Sequence, residues 1–191
     1  MSQNLVLNTL TMAYHYHAVV ADRVTADPAP PVDLVGPLWV AVHRRHCESM
    51  PELAPYVDDA ETWRARRKLY EELLTKPDTL LLLALADDQP VGYGLTHVIP
   101  VADSWIEDTW QTGDRIGEIE SLSVLPEYRG SGLGSELLDR LEKHLHERGV
   151  DDLMLGALAG NDDAIRLYER RGYRPTWLYL SKFAGRETKS R

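Results

Sequence analysis

At 191 residues, 43% of them hydrophobic and 27% charged, the chain has the bulk of one ordinary domain. That single domain is expected over 1–191, with a core at about 18–184 and flexible tails at 1–14 and 185–191. A formal net charge of −9 argues against a nucleic-acid surface, which needs clustered Lys and Arg; it is compatible with a cationic small substrate or simply with solubility.

No membrane partner is expected, because the longest apolar run, Leu80 to Ala86, is far shorter than the roughly 18 residues of a bilayer span. No Lys or Arg precedes Arg23, so a basic signal segment is lacking. The one cysteine, Cys47, forms no internal disulfide, which fits a reducing compartment; the expected location is the cytoplasm.

In chain order, Ala18 to Thr25 alternates as a strand does, until the proline-rich run at 27–31 breaks it. Asp33 is placed to cap a helix with Leu34, Leu38, Val42 and Cys47 on one face, ending before Pro51. A second helix with a basic middle is predicted between Asp59 and Thr75. Leu80 to Ala86 reads as a central strand buried on both faces, with Val91 to Pro100 as its hairpin partner. A polar connection over Asp103 to Asp114 leads to a strand at Glu118 to Leu125. Leu133, Leu137, Leu138, Leu141 and Leu145 mark the buried face of a helix from Gly132 to Arg148. Asp152 to Leu158 is the next strand, a helix capped by Asn161 or Asp162 runs to Arg171, and Tyr173 to Phe183 supplies the last strand.

The informative stretch is the strand-to-helix passage ending in Arg129-Gly130-Ser131-Gly132-Leu133-Gly134. Alternate glycines let backbone N–H groups approach a ligand at the positive end of a helix, which makes an anion site. It is not a P-loop, since Leu133-Gly134-Ser135 carries no lysine. Nor does it have the dinucleotide spacing, because Gly132 and Gly134 are separated by one residue rather than two.

The stretch from Leu122 to Leu138 resembles the acetyl-CoA-binding segment of the GNAT superfamily of N-acetyltransferases, and Asn161 to Tyr173 is similar to that family's second segment. The resemblance covers roughly Leu80 to Phe183. It implies an α/β (α+β) GNAT fold: one mixed, largely antiparallel sheet of six to seven strands, its middle strands parallel and splayed, flanked by about four helices. It also implies that Leu122, Ser123 and Val124 offer backbone contacts to the pantetheine arm of acetyl-CoA. Arg129, Gly130, Ser131, Gly132, Leu133, Gly134 and Ser135 would wrap the pyrophosphate, and Asn161 would reach the cofactor arm.

Acetyl transfer needs a neutral amine, a polarised thioester carbonyl and a proton for the leaving thiolate. Glu120 is the candidate base, directly or through a water, with Glu118 as a rival on the same strand face. A backbone N–H near Val124 would polarise the carbonyl, and Tyr168 stands where the family places its thiolate-protonating tyrosine. Each has a plainer reading: Glu120 as an ion-pair partner, Tyr168 as a buried aromatic. No metal site is expected, since nothing draws His43, His46 and Cys47, or His15 and His17, together with a fourth ligand.

Acceptor choice lies outside these motifs. Asp103, Glu107, Asp108, Asp114, Glu118 and Glu120 face Arg115 alone, with Trp105 and Trp110 among them, so an acidic and aromatic wall for a cationic amine is one expectation; a solvated loop is the other. The leading acceptor is a small primary amine: a polyamine, aminoglycoside or amino-acid-like metabolite. A protein or peptide acceptor and a non-catalytic acyl-CoA-binding module are the alternatives. The family resemblance also raises a homodimer, for which an exposed final strand would supply an edge.

Overall fold

The computed structural model describes residues 15–20, 31–87 and 89–183, with the backbone alone for 15–20 and Pro31. Five strands form one sheet in the order β1 (His15–Val20), β2 (Leu80–Ala86), β3 (Gln89–Pro100), β4 (Arg115–Val124) and β5 (Leu153–Leu155). Neighbours are antiparallel except β4 and β5, which run parallel. Four helices flank it: α1 (Gly36–Ser49), α2 (Asp59–Leu73), α3 (Leu133–His146) and α4 (Asp162–Arg170). None of the described helices is long and apolar enough to cross a membrane.

The unbroken apolar run of β2 follows from its central place, where alternate side chains meet different layers. Leu80, Leu82 and Ala84 join Leu133, Leu137, Leu138, Leu141 and Leu145 of α3. Leu81 and Leu83 join Tyr93 and Leu95 of β3 against Leu38 and Trp39 of α1 and Tyr70 and Leu73 of α2. The leucines of α3 recur at three and four residues, so they form a single buried stripe. Glycines of the sheet let that stripe approach closely: a Cβ on Gly94 would stand 2.6 Å from Leu141 Cδ1.

The feature that positions the site is a register shift in the β3–β4 ladder. Thr96 pairs with Ile119 and Leu95 with Ser121, so Glu120 is the extra residue of a bulge. Its effect is to change the phase of the strand. Ile119, then Leu122 and Val124, pack toward α3. Glu120 reaches Arg66 on α2, Ser121 reaches Tyr70, and Ser123 Oγ donates to the Leu38 carbonyl of α1 at 3.3 Å. Three polar side chains within four residues therefore face the α1–α2 layer.

Several expectations shift. The predicted strand at 18–25 lies partly outside the described residues; β1 covers His15–Val20. Asp33 caps nothing, because a 3₁₀ turn over Pro31–Val35 leads into α1, and its carboxylate pairs instead with Arg67 at 2.9 Å. Leu34 consequently faces solvent. Asp58, one residue before α2, makes a true cap by accepting from the Glu61 N–H.

Tyr173 to Phe183 forms no strand, so the described sheet has five strands rather than six or seven. The neighbouring edge strand β5 is only three residues long, and Trp177 is held elsewhere, edge-on to Trp105 and Trp110.

Gly94→Ala is expected to destabilise the fold by about 1–3 kcal/mol through overpacking against Leu141. In a Leu141→Ala background, itself costing about 2–5 kcal/mol, the added methyl fills space and its penalty shrinks. A double-mutant cycle by urea denaturation measures the coupling, and additive penalties would contradict this packing.

Candidate active site

β5 pairs with β4 only where Leu153–Leu155 meets Gly117–Ile119. Beyond that point the chain at 156–158 and the end of β4 line opposite parts of a cleft of 1020 Å³, which α3, α4 and α1 also enclose. Leu125 donates its N–H to the Val91 carbonyl at 2.9 Å. Peptide groups of an antiparallel strand alternate in direction, so those of Leu122 and Val124 point away from β3 and into the cleft. This is a strand with unspent hydrogen-bonding groups, suited to an extended amide-bearing ligand.

Past Val124 the chain turns through Gly130 (φ 75°) and Gly132 (φ 91°) into α3. A side chain at either position would be strained in this left-handed region, so glycine is what permits the turn. Gly134 and Ser135 of the first helical turn then line the cleft, where the helix dipole is positive, while the Leu133 N–H is taken by Ser131 Oγ. Arg129, Arg166 and Arg170 line the same cleft, which adds point charge to the dipole. Arg129 Nε also donates to the Val124 carbonyl at 3.2 Å and ties the loop to the strand.

Glu120 stands where the bulge projects it, against the guanidinium of Arg66. Arg66 lies flat over the Trp39 ring, with Cζ 3.9 Å from its centroid, and Trp39 Nε1 donates to Thr62 Oγ1 at 3.1 Å. Beneath them Tyr70 Oη lies 3.0 Å from Tyr93 Oη and 2.5 Å from Ser121 Oγ, a buried hydroxyl chain that fixes α2 against β3 and β4. Burial raises the proton affinity of Glu120 above the ordinary carboxylate range; Arg66 opposes this and the Glu118 carboxylate reinforces it. Across the cleft, burial pushes the Tyr168 hydroxyl up to about 12, so it stays protonated at neutral pH.

The structure brings Glu120, Leu122, Ser123, Val124, Arg129, Gly130, Gly132, Gly134, Ser135, Asn161 and Tyr168 to this one cleft. Ser131 and Leu133 do not line it: Ser131 Oγ turns back to the Tyr128 carbonyl at 2.7 Å, and Leu133 is buried in the core. Glu118 does not line it either, and its Oε2 lies 3.3 Å from His97 Nε2. His97, Glu118 and Glu120 present their ligand-type atoms within 4.8 Å of one another, but Arg66 already supplies the cation there. His43 is bonded to the Val57 carbonyl at 2.9 Å, with Cys47 Sγ 3.8 Å away, while the side chains of His15 and His17 lie outside the described set.

The acidic and aromatic wall is not in the cleft. Trp105, Trp110 and Trp177 pack edge to face on one another, and neither they nor Asp103, Glu107, Asp108 and Asp114 line it. Sequence reasoning missed Trp39, Arg66 and the Tyr70–Tyr93 pair. The basic middle of α2 was the available signal, but only the packing of α2 across β4 sets Arg66 on Glu120.

Residues 39–173 match the model of the acetyltransferase (GNAT) family. The chain belongs to that family. Among curated relatives, it is 36% identical over 84 residues to thialysine N-epsilon-acetyltransferase of Sus scrofa, covering 44% of each chain. It is 32% identical over 84 residues to mycothiol acetyltransferase of Corynebacterium aurimucosum, covering 43% of this chain and 28% of the relative. The matched stretch thus spans less than half of either relative. The fold is shared with a predicted acetyltransferase from Clostridium acetobutylicum solved with acetyl-CoA, at a TM-score of 0.59 and 21% identity over 88% of this chain and 96% of that one.

Acetyl-CoA, the GNAT co-substrate, fits the residues present: open peptide groups on β4, a glycine turn at a helix start and three arginines for phosphates. Gly132→Val places a branched side chain at φ 91° and is expected to weaken CoA binding roughly tenfold, the equivalent of about 1–2 kcal/mol of backbone strain. Titration calorimetry with CoA checks this, and an unchanged dissociation constant would contradict a role for the turn.

Proposed function

We propose that this GNAT-family chain moves the acetyl group of acetyl-CoA directly to the primary amine of a small molecule held in the same cleft. The supporting observation is that a carboxylate with raised proton affinity and a tyrosine that stays protonated line one cleft.

The bound thioester supplies an activated acetyl group. Glu120 takes a proton from the incoming ammonium, directly or through a water, because burial makes it a stronger base than a solvated carboxylate. The Val124 N–H, pointed into the cleft, donates to the thioester oxygen as charge develops there. Tyr168 Oη donates its proton to the leaving sulfur. The amine forms the new bond to the acetyl carbon as the C–S bond breaks, and the surplus proton then left on the nitrogen is lost to water and restores Tyr168, so no enzyme nucleophile is required.

A pair of chains belongs to this reading. β5 is the last strand of the described sheet, and Leu178, Tyr179 and Leu180 are exposed. An unpaired sheet edge and separate exposed apolar residues both suit pairing with a second copy. Light scattering coupled to gel filtration tests it, and a monomer at micromolar concentration would oppose it.

Since Glu120 acts deprotonated and its proton affinity is raised, kcat/KM is expected to rise with pH through a limb above the ordinary carboxylate range. Glu120→Gln should remove that limb and lower kcat by about 10²–10⁴-fold. Tyr168→Phe should lower kcat by about 10²-fold with CoA affinity unchanged. Release of free CoA across a panel of amines, followed against pH, measures all three; full turnover in both variants would overturn the assignments.

A further inference from the structure

Arg66 occupies the place an acceptor amine must enter. Its guanidinium is bound to Glu120, its side chain is 25% exposed and that of Glu120 only 18%. A guanidinium has five donors. Among the described residues Glu120 is the acceptor for Arg66, while the Trp39 ring lies against one face and Tyr70 stands 5.7 Å from Cζ. Donors of Arg66 therefore remain for a ligand in the cleft it lines.

The surrounding charges sharpen the point. The lining includes five arginines, Arg45, Arg66, Arg129, Arg166 and Arg170, against two carboxylates, Glu120 and Asp163. The cleft is thus basic in a chain of net charge −9. Phosphates of the donor account for cations near the glycine turn and α4, but Arg66 sits at the other end, beside the base. Glu118 lies off the cleft with its Oε2 on His97, so it reaches a bound ligand only through its charge on Glu120. His46, edge-on to Trp39 at 6.4 Å, has its proton affinity lowered by burial and by His43 and Arg66, so it adds no competing charge at neutral pH.

A bare amine entering as its ammonium would set two cations on one half-buried carboxylate and take from Arg66 the acceptor it has. An amine carrying its own carboxylate would exchange partners evenly, its ammonium on Glu120 and its carboxylate on the fork of Arg66. Because Arg66 and Glu120 are in contact, the two ligand groups must also be close in the molecule.

Resting on the acetyl-transfer reading above, we infer that the acceptor is an α-amino carboxylate or a similarly compact amino acid, with Arg66 as its specificity-determining residue. This narrows the acceptor from amines in general to zwitterions. It also disfavours peptide N-termini, whose first carbonyl is an amide and carries no charge for Arg66.

The test uses matched triplets: an amino acid, its amide and its decarboxylated amine, such as L-leucine, L-leucinamide and isoamylamine, and the phenylalanine and methionine equivalents. Turnover with acetyl-CoA is measured alongside calorimetric binding to protein saturated with CoA. Wild-type protein is expected to favour the free amino acid by at least about tenfold in kcat/KM over both analogues in one or more triplets. Arg66→Gln should erase that preference by lowering the amino-acid value by a larger factor than the amine value. Arg66→Lys, which keeps the charge without the fork, should fall between them, and unchanged CoA affinity in both variants verifies that the site is folded.

Equal or better use of amides or bare amines by wild type would overturn the inference while leaving acetyl transfer intact. A preference that survives in Arg66→Gln would overturn the role of Arg66. Arg66-dependent binding of amino acids without any CoA release would support the recognition and sink the acetyl-transfer reading. Absence of both binding and turnover for every triplet member would overturn the recognition.

Discussion

The arrangement depends on one constraint: β4 cannot be hydrogen-bonded on both sides along its whole length. β5 matches it for only three residues, and the bulge at Glu120 changes its phase just beyond. Peptide groups that a regular sheet would have consumed are left facing a cleft. Side chains that would have alternated between layers instead present Glu120, Ser121 and Ser123 to the same helices. An opening for an extended ligand and a cluster of polar groups thus arise together from one added residue.

Such an opening is stable only if its walls are held independently of one another. The α3 side is held by its leucine stripe, packed without polar atoms against β2, β3 and β4. The other side is held by α1 and α2, where apolar packing is joined by the buried contacts of Trp39 with Thr62 and of Tyr70 with Tyr93 and Ser121. A hydroxyl chain of this kind is costly to break, because each member would be left buried without a partner. It therefore fixes α2, and with it Arg66, relative to Glu120 on β4.

The charge of the whole chain is a poor guide to the cleft. An acidic protein presents a basic cavity, because its carboxylates are spread over exposed surfaces while arginines converge from α1, α2, α4 and the glycine turn. Local field, not net charge, governs what enters. In the same way the tryptophans of the β3–β4 connection pack on one another and on Trp177 rather than lining the cleft, so they form no aromatic wall there.

The sequence by itself determined those features written in short-range pattern. The leucine periodicity of α3, the apolar run of β2, the glycines at 130 and 132 and the segment through Asn161 and Tyr168 are local, so the helix, the central strand, the glycine turn and the family could be read directly. Asp33 failed as a cap because its better partner, Arg67, is distant in sequence, and 173–183 failed as a strand because a strand exists only with a partner. Only the tertiary structure decided that Glu120 is the bulge residue, that Glu118 is turned to His97, and that Arg66 is laid across Trp39 onto Glu120. Each is a contact between elements far apart in the chain, set by how helices pack on a sheet, and no spacing along the sequence records it.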